Sequence, residues 1–292
     1  MTPTIIDVLL PAALACIMFA LGITLVPADF TRLLERPRAV LGGLFGQLIV
    51  LPAAAWALAL AFRLPPEMAV GLVILGACPG GASSGLITYL ARGETALSIT
   101  LTAITSLVAL ASVPLVVNLA LQTFLGAGGA VDLPVGRLVR GVFFITTVPV
   151  AAGMLLRAWR PALAARIERP AGRIATLLFL LIVIATFVSQ REALFANMGS
   201  VGPATATLNA LVMGAGVAIA ALLRLSRRDA IAIAAECGLQ NAALGIFIAA
   251  TVLGSPMLAV PSVVYALLMN VGALGLIVVA RRLVSRANPV RA

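Results

Sequence analysis

In Ala234-Ala235-Glu236-Cys237-Gly238-Leu239-Gln240-Asn241-Ala242 a carboxylate stands in the middle of an apolar run. Glu236 is the one charged side chain inside such a run, with hydrophobic residues continuing for many positions on both sides. A carboxyl at membrane depth is costly unless it has partners, so its presence is a functional hypothesis by default. Gly238, Gln240 and Asn241 follow it within five residues. That combination reads as an interrupted helix that holds a cation and a polar solute.

Composition sets the class around this stretch. Of 292 residues, 62% are hydrophobic and 10% charged, and the mean hydropathy is +1.15. Apolar runs of about 20 residues recur, each long enough to cross the hydrocarbon of a bilayer as a helix. The chain reads as an all-α polytopic membrane protein. All 20 of its cationic residues are arginine, it has no histidine, and its net charge is +10. A basic excess without a soluble domain reports membrane orientation rather than nucleic-acid binding.

The same inventory argues against an enzyme. The commonest general base, histidine, is absent. Cys16, Cys78 and Cys237 lie in apolar runs without zinc-type spacing, and an odd buried set does not make a disulfide framework; they read as small hydrophobes. No nucleophile-elbow, metalloprotease or phosphate-loop pattern occurs, and no cofactor is expected.

Nine spans can be drawn, at 5–26, 39–62, 67–91, 95–122, 136–158, 172–188, 202–223, 229–253 and 258–284, with Pro, Gly and Arg at most joints, among them Glu168-Arg169-Pro170 and Gly126-Ala127-Gly128-Gly129. Residues 1–122 form a first half, 136–284 a second, and 285–292 a tail. The first residues, Met1-Thr2-Pro3-Thr4-Ile5-Ile6-Asp7, lack the basic region of a signal peptide. With the N-terminus outside, sixteen arginines fall in inner loops and at the C-terminal end, and four (Arg63, Arg137, Arg140 and Arg191) fall outside. That alternation supports nine spans, an N-terminus in the periplasm and a C-terminus in the cytoplasm, in the inner membrane.

Two spans are abnormal. The third contains Gly76-Ala77-Cys78-Pro79-Gly80-Gly81-Ala82-Ser83-Ser84-Gly85, the eighth Glu236-Cys237-Gly238-Leu239-Gln240-Asn241. Being five spans apart, they cross in opposite directions. Paired interruptions at corresponding places in two halves point to an inverted-repeat transporter whose broken helices face a central cavity. Taken singly, each has a plainer reading: Pro79 with its glycines as a kink or a tight packing point, Glu236 as a protonated structural carboxyl. Ser98 and Thr102 share one face of the fourth span, where each can also bond back to its own helix. Gln47 in the second span and Asn270 in the ninth are amides in apolar runs that need partners. Oxygen ligands without His suit a hard cation such as sodium.

On these residues the chain resembles the bile acid:sodium symporter family. The resemblance is carried by Cys78-Pro79-Gly80-Gly81 through Thr88-Tyr89-Leu90-Ala91-Arg92-Gly93, then Ala96-Leu97-Ser98, and by Glu236-Cys237-Gly238-Leu239-Gln240-Asn241, in order along nearly the whole chain. It implies a panel domain and a core domain with two discontinuous helices crossing near mid-bilayer, in a nine-span form lacking a first helix. It implies a first sodium site at Ser84, Ser98, Thr102, Glu236 and Gly85. A second would use Gln47, Glu236 and Gln240 with the carbonyls of Cys237 and Leu239. The substrate would lie near Ala82, Ser84, Gly85, Asn241 and Asn270. Two departures stand out: Gly85 where the family commonly has Asn, and Ala82 where Thr is frequent.

The expectation is a sodium-coupled symporter that imports a small or amphipathic organic anion by alternating access, with sodium, the anion and the bilayer as partners. The rivals are proton-coupled or uncoupled anion transport, and a membrane-embedded sensor or binding protein.

Overall fold

The computed structural model describes residues 5–26, 31, 35–81, 83–126, 135–189 and 191–287. Ala82, both chain ends and most of the joint at 126–129 lie outside the described residues. The described residues are almost wholly helical; the single β-bridge, Gly80 with Gln240, is isolated.

The helices are α1 (Ile5–Thr24), α2 (37–61), α3 (Pro66–Ala77), α4 (Ser84–Leu90), α5 (Thr95–Leu125), α6 (135–159), α7 (Pro161–Ser189), α8 (Arg191–Leu222), α9 (Arg227–Gly238), α10 (242–252) and α11 (Val260–Ala287). Among the described residues six stretches are long and apolar enough to cross a bilayer: α2, α5, most of α6, α7, α8, and the run from Pro256 through most of α11. Leu9–Thr24, Pro66–Ala77 and Ala242–Val252 are shorter apolar helices. The chain is therefore a multi-pass membrane protein.

Two joints differ from the sequence reading. The polar stretch around Glu168-Arg169-Pro170 is not a loop, because α7 runs through it with Pro170 inside. Likewise α8 begins at Arg191 and carries Pro203 internally. Ala, Leu, Arg and Glu are strong helix formers, and they keep the polar ends of these spans helical beyond the apolar run. The bilayer makes every main-chain group find a partner, so proline within a span does not end it.

Packing divides the helices into two groups. α1 lies against α6 and α7. Its Gly22 and the Gly153 of α6 let the backbones touch: a Cβ on Gly22 would strike the Val150 carbonyl, and one on Gly153 the Phe19 carbonyl. Small residues that allow such approach drive helix association in lipid. The second group is α2, α3, α5, α8, α9 and α11, packed around the two broken segments.

One end of the molecule is tied together by loops. Arg36, before α2, donates to Asp229 Oδ2 at 2.9 Å. Asp229 is itself fixed by a capping box with Ser226 that starts α9. The Glu94 amide donates to the Arg228 carbonyl at 2.9 Å, and Arg281 Nε donates to the Leu90 carbonyl at 2.9 Å. The segments at 36, 90–94, 226–229 and 281 therefore share one end, where the arginine alternation also groups them.

Candidate functional site

The two interruptions meet face to face. α3 ends at Ala77 and α4 begins at Ser84; between α9 and α10 the chain leaves the helix only at 239–241. The second break is shorter than the sequence suggests, since Glu236, Cys237 and Gly238 complete the last turn of α9. The two extended pieces run antiparallel: Gly81 N donates to the Leu239 carbonyl at 2.7 Å and Asn241 N to the Pro79 carbonyl at 3.0 Å. Main-chain groups that the breaks release are thus satisfied by each other, as buried backbone requires. The C-terminal ends of α3 and α9 and the N-terminal ends of α4 and α10 all converge here. The first pair carries partial negative charge and the second partial positive charge.

Glu236 is 0% exposed. Its Oε2 accepts from Ser98 Oγ at 3.1 Å, and its Oε1 from Thr102 Oγ1 at 2.7 Å. Ser84, in the first turn of α4, closes the group: its Oγ lies 3.2 Å from Thr102 Oγ1 and accepts from Ser98 Oγ at 3.3 Å. For Thr102 the plain reading coexists with this contact, because its Oγ1 also reaches its own helix at the Ser98 carbonyl, 3.1 Å away. Gly80 packs directly on the carboxylate; a Cβ there would collide with it. Among the described residues no cationic side chain pairs with Glu236.

A second polar group lies on the other side of the crossover. Gln47 stands in a π-helical turn of α2, Gly46–Val50, a local irregularity frequent at functional sites. Its Nε2 donates to Gln240 Oε1 at 2.8 Å and to the Cys78 carbonyl at 3.2 Å. Gln240 Nε2 in turn donates to the Cys237 carbonyl at 2.8 Å and the Glu236 carbonyl at 3.3 Å. Cys237 therefore presents its carbonyl to this group, while the Leu239 carbonyl is engaged by Gly81.

The residues expected near the substrate are less gathered. Ser84 belongs to the hydroxyl cluster. Gly85 is half-buried, and among the described residues a Cβ on it would meet only Ile99 Cγ1, at 3.6 Å. Asn241 Oδ1 caps α10 through Leu244 N at 3.1 Å, and its Nδ2 contacts Met18 Sδ of α1 at 3.8 Å. Asn270 is exposed and donates to the Ala266 carbonyl of its own helix at 2.7 Å, so it stands outside the polar cluster.

Sequence reasoning passed over Asn209 and Tyr265. Asn209 Nδ2 donates to the Gly238 carbonyl at 2.8 Å, and Tyr265 Oη donates to the same carbonyl at 2.9 Å. Together they hold the peptide that ends α9. The signal was present: Asn209 is an amide in an apolar run, the criterion that singled out Gln47.

The sequence profile of the Sodium Bile acid symporter family matches residues 11–197. This chain belongs to that family. It is a membrane transport protein and not an enzyme. An uncharacterized sodium-dependent transporter of Bacillus subtilis (strain 168), YocS, is 32% identical over 257 residues, 88% of this chain and 78% of that protein. The probable chloroplastic sodium/metabolite cotransporter BASS2 of Oryza sativa subsp. japonica is 29% identical, over 90% of this chain and 62% of its own length. The ileal sodium/bile acid cotransporter of Oryctolagus cuniculus is 27% identical, over 65% of this chain and 54% of its own length. The chain thus spans less than two thirds of the plant and rabbit relatives. The family match reaches Gln47, Ser84, Ser98 and Thr102 and ends before α9, so the arrangement around Glu236 rests on the geometry.

Proposed function

We propose that this protein is a sodium-coupled symporter that imports a small or amphipathic organic anion by alternating access, with its ions and its substrate gathered at the crossover. The observation that carries this reading is Glu236: a fully buried carboxylate, held only by hydroxyl donors, at the meeting point of two broken helices. A buried charge must be balanced, and among the described residues no side-chain cation balances this one. A hard cation bound by oxygens at about 2.4 Å places neighbouring ligands about 3.4 Å apart in an octahedral shell. The separations of Ser84 from Thr102, Ser84 from Ser98 and Ser98 from Glu236, at 3.2, 3.3 and 3.1 Å, are near that spacing. Gln47, Gln240 and the Cys237 carbonyl offer a second set of neutral oxygens beside the same carboxylate.

Coupling follows from charge. A cation at the crossover offsets Glu236 and lets the positive ends of α4 and α10 act on an anion nearby. Each net positive charge carried inward gains about 2.3 kcal/mol per 100 mV of membrane potential. The nine-span topology, with the N-terminus in the periplasm, is supported by the arginine alternation and by the loops gathered at one end. The inverted repeat is supported by the antiparallel pairing of the two breaks.

The same lack of a cationic partner also fits a proton on Glu236, which is the second reading. Proteoliposomes separate the two: a sodium gradient should drive accumulation of a matched organic anion at fixed pH. Uptake that follows a proton gradient and ignores sodium would overturn the sodium reading. Cysteines placed at positions 63 and 92 should be labelled from opposite faces, and labelling from one face would overturn the topology.

A further inference from the structure

A cavity of about 520 Å³ opens at the tied end of the molecule, lined by Tyr89, Leu90, Arg92, Thr95, Arg228 and Arg281. It belongs to neither polar group at the crossover. Four elements form its walls: the end of α4, the start of α5, the start of α9 and the end of α11. Its charge is one-sided. Three arginines line it, and Glu94 lies 3.7 Å from Arg228 in a loose pair. Arg281 is anchored at the rim by its bond to the Leu90 carbonyl. The positive end of α5, a helix of 31 residues, opens onto the same space at Thr95. Arginine forks and a helix N-terminus are together the donor set that phosphate oxygens take.

The lining is also amphiphilic. Tyr89 is 68% exposed, and Leu86, one turn before it on α4, is 59% exposed. An apolar face therefore runs from the arginines along α4. A free inorganic anion makes no use of such a face, whereas a lipid places its phosphate on the arginines and its chains along the helix. Basic pockets between spans on the cytoplasmic side are suited to anionic headgroups.

We propose that this cavity binds the phosphodiester head of an anionic membrane phospholipid, bridging the ends of α4, α9 and α11. The inference goes beyond the transport reading and does not depend on it, since lipid binding can be read without uptake. The test uses the purified full chain in detergent, with dioleoyl phosphatidylglycerol, dioleoyl phosphatidylcholine and glycerol 1-phosphate as probes, and native mass spectrometry as the readout. Phosphatidylglycerol should be retained over phosphatidylcholine. The pair Arg92→Gln with Arg228→Gln should weaken its retention about 25-fold, at about fivefold for each arginine near a headgroup. Arg166→Gln with Arg173→Gln, on α7, should leave it unchanged, and melting temperatures of both pairs control for folding. Equal retention of the two lipids, or a preference that survives the Arg92 and Arg228 pair, overturns the proposal. Competition by glycerol 1-phosphate as strong as by the whole lipid also overturns it, and assigns the cavity to a free anion.

Discussion

Thr102 Oγ1 lies 2.7 Å from Glu236 Oε1, the shortest contact that the buried carboxylate makes. The two residues are 134 positions apart in sequence. A helix of the first half thus supplies the donor and a helix of the second half the charge. Any movement that separates α5 from α9 breaks this bond and changes what a cation at Glu236 would meet.

The charge is the first thing to test. Glu236→Gln keeps the shape and a hydrogen-bond acceptor but removes the negative charge. It should reduce sodium-driven uptake to background while the melting temperature stays at or above that of the native chain, because a buried neutral amide is less costly than a buried carboxylate. Uptake at native rates in a folded Glu236→Gln protein would show that the carboxylate is structural.

The neutral ligands should matter by degree. Thr102→Val removes the hydroxyl that donates to the carboxylate, and a hydrogen bond to a charged group contributes about 1.5–3 kcal/mol. The sodium concentration for half-maximal uptake should rise about tenfold or more. Gln47→Ala removes a neutral–neutral pair with Gln240 and should raise it only about fivefold. Thr102 acts through the Glu236 carboxylate that both groups share, so a rise after Thr102→Val with none after Gln47→Ala would place the dominant ion at the hydroxyl cluster.

Much of this was legible because the expensive residues announce themselves. A carboxylate and an amide in apolar runs, and glycines clustered at corresponding breaks, are visible without coordinates, and the geometry joins them: Glu236 to Ser98 and Thr102, Gln47 to Gln240. The family resemblance was carried by the same stretches. What stayed hidden has physical reasons. The extent of α7 and α8 was missed because Pro170 and its charged neighbours read as a joint and the polar residues before position 202 fell outside the apolar run, whereas both stretches stay helical. Asn270 reads like Gln47 in sequence, yet it bonds to its own helix, since the direction a side chain takes is set by helix packing that no local pattern states. Asn209 is marked in sequence as an amide in an apolar run, as Gln47 is, but the group that it and Tyr265 hold is a main-chain carbonyl, which leaves no mark there.

The contact between Gly80 and Glu236 gives a steric test. Gly80→Ala drives a methyl group into the carboxylate, and overpacking of this kind costs about 1–3 kcal/mol. The melting temperature should fall and uptake with it. Adding Glu236→Asp shortens the acid by one methylene and withdraws it, so the double variant should recover part of the stability lost by Gly80→Ala alone. Such non-additivity is the mark of direct contact. Strictly additive losses would mean that the two residues do not touch.

The number of coupled ions turns on Gly85. Glycine brings only its main-chain carbonyl to the hydroxyl cluster, where the family resemblance implies a side-chain oxygen. The other group keeps Gln47, Gln240 and the Cys237 carbonyl next to Glu236. One sodium, bound at that second group, should therefore dominate coupling, and uptake should rise hyperbolically with sodium. A sigmoidal rise in the native chain, with a Hill coefficient of about two, would rule out the one-ion account. The structure also permits the converse experiment, because among the described residues a Cβ at position 85 meets only Ile99 Cγ1 at 3.6 Å, an ordinary contact. Gly85→Asn should fit without strain and restore an oxygen beside Ser84. It should then raise sodium affinity or turn the hyperbola sigmoidal, measured as initial uptake across a sodium titration at fixed ionic strength. If instead it lowers the affinity for the organic anion and leaves the sodium curve unchanged, the open space at Gly85 serves a bulkier substrate and not the ion.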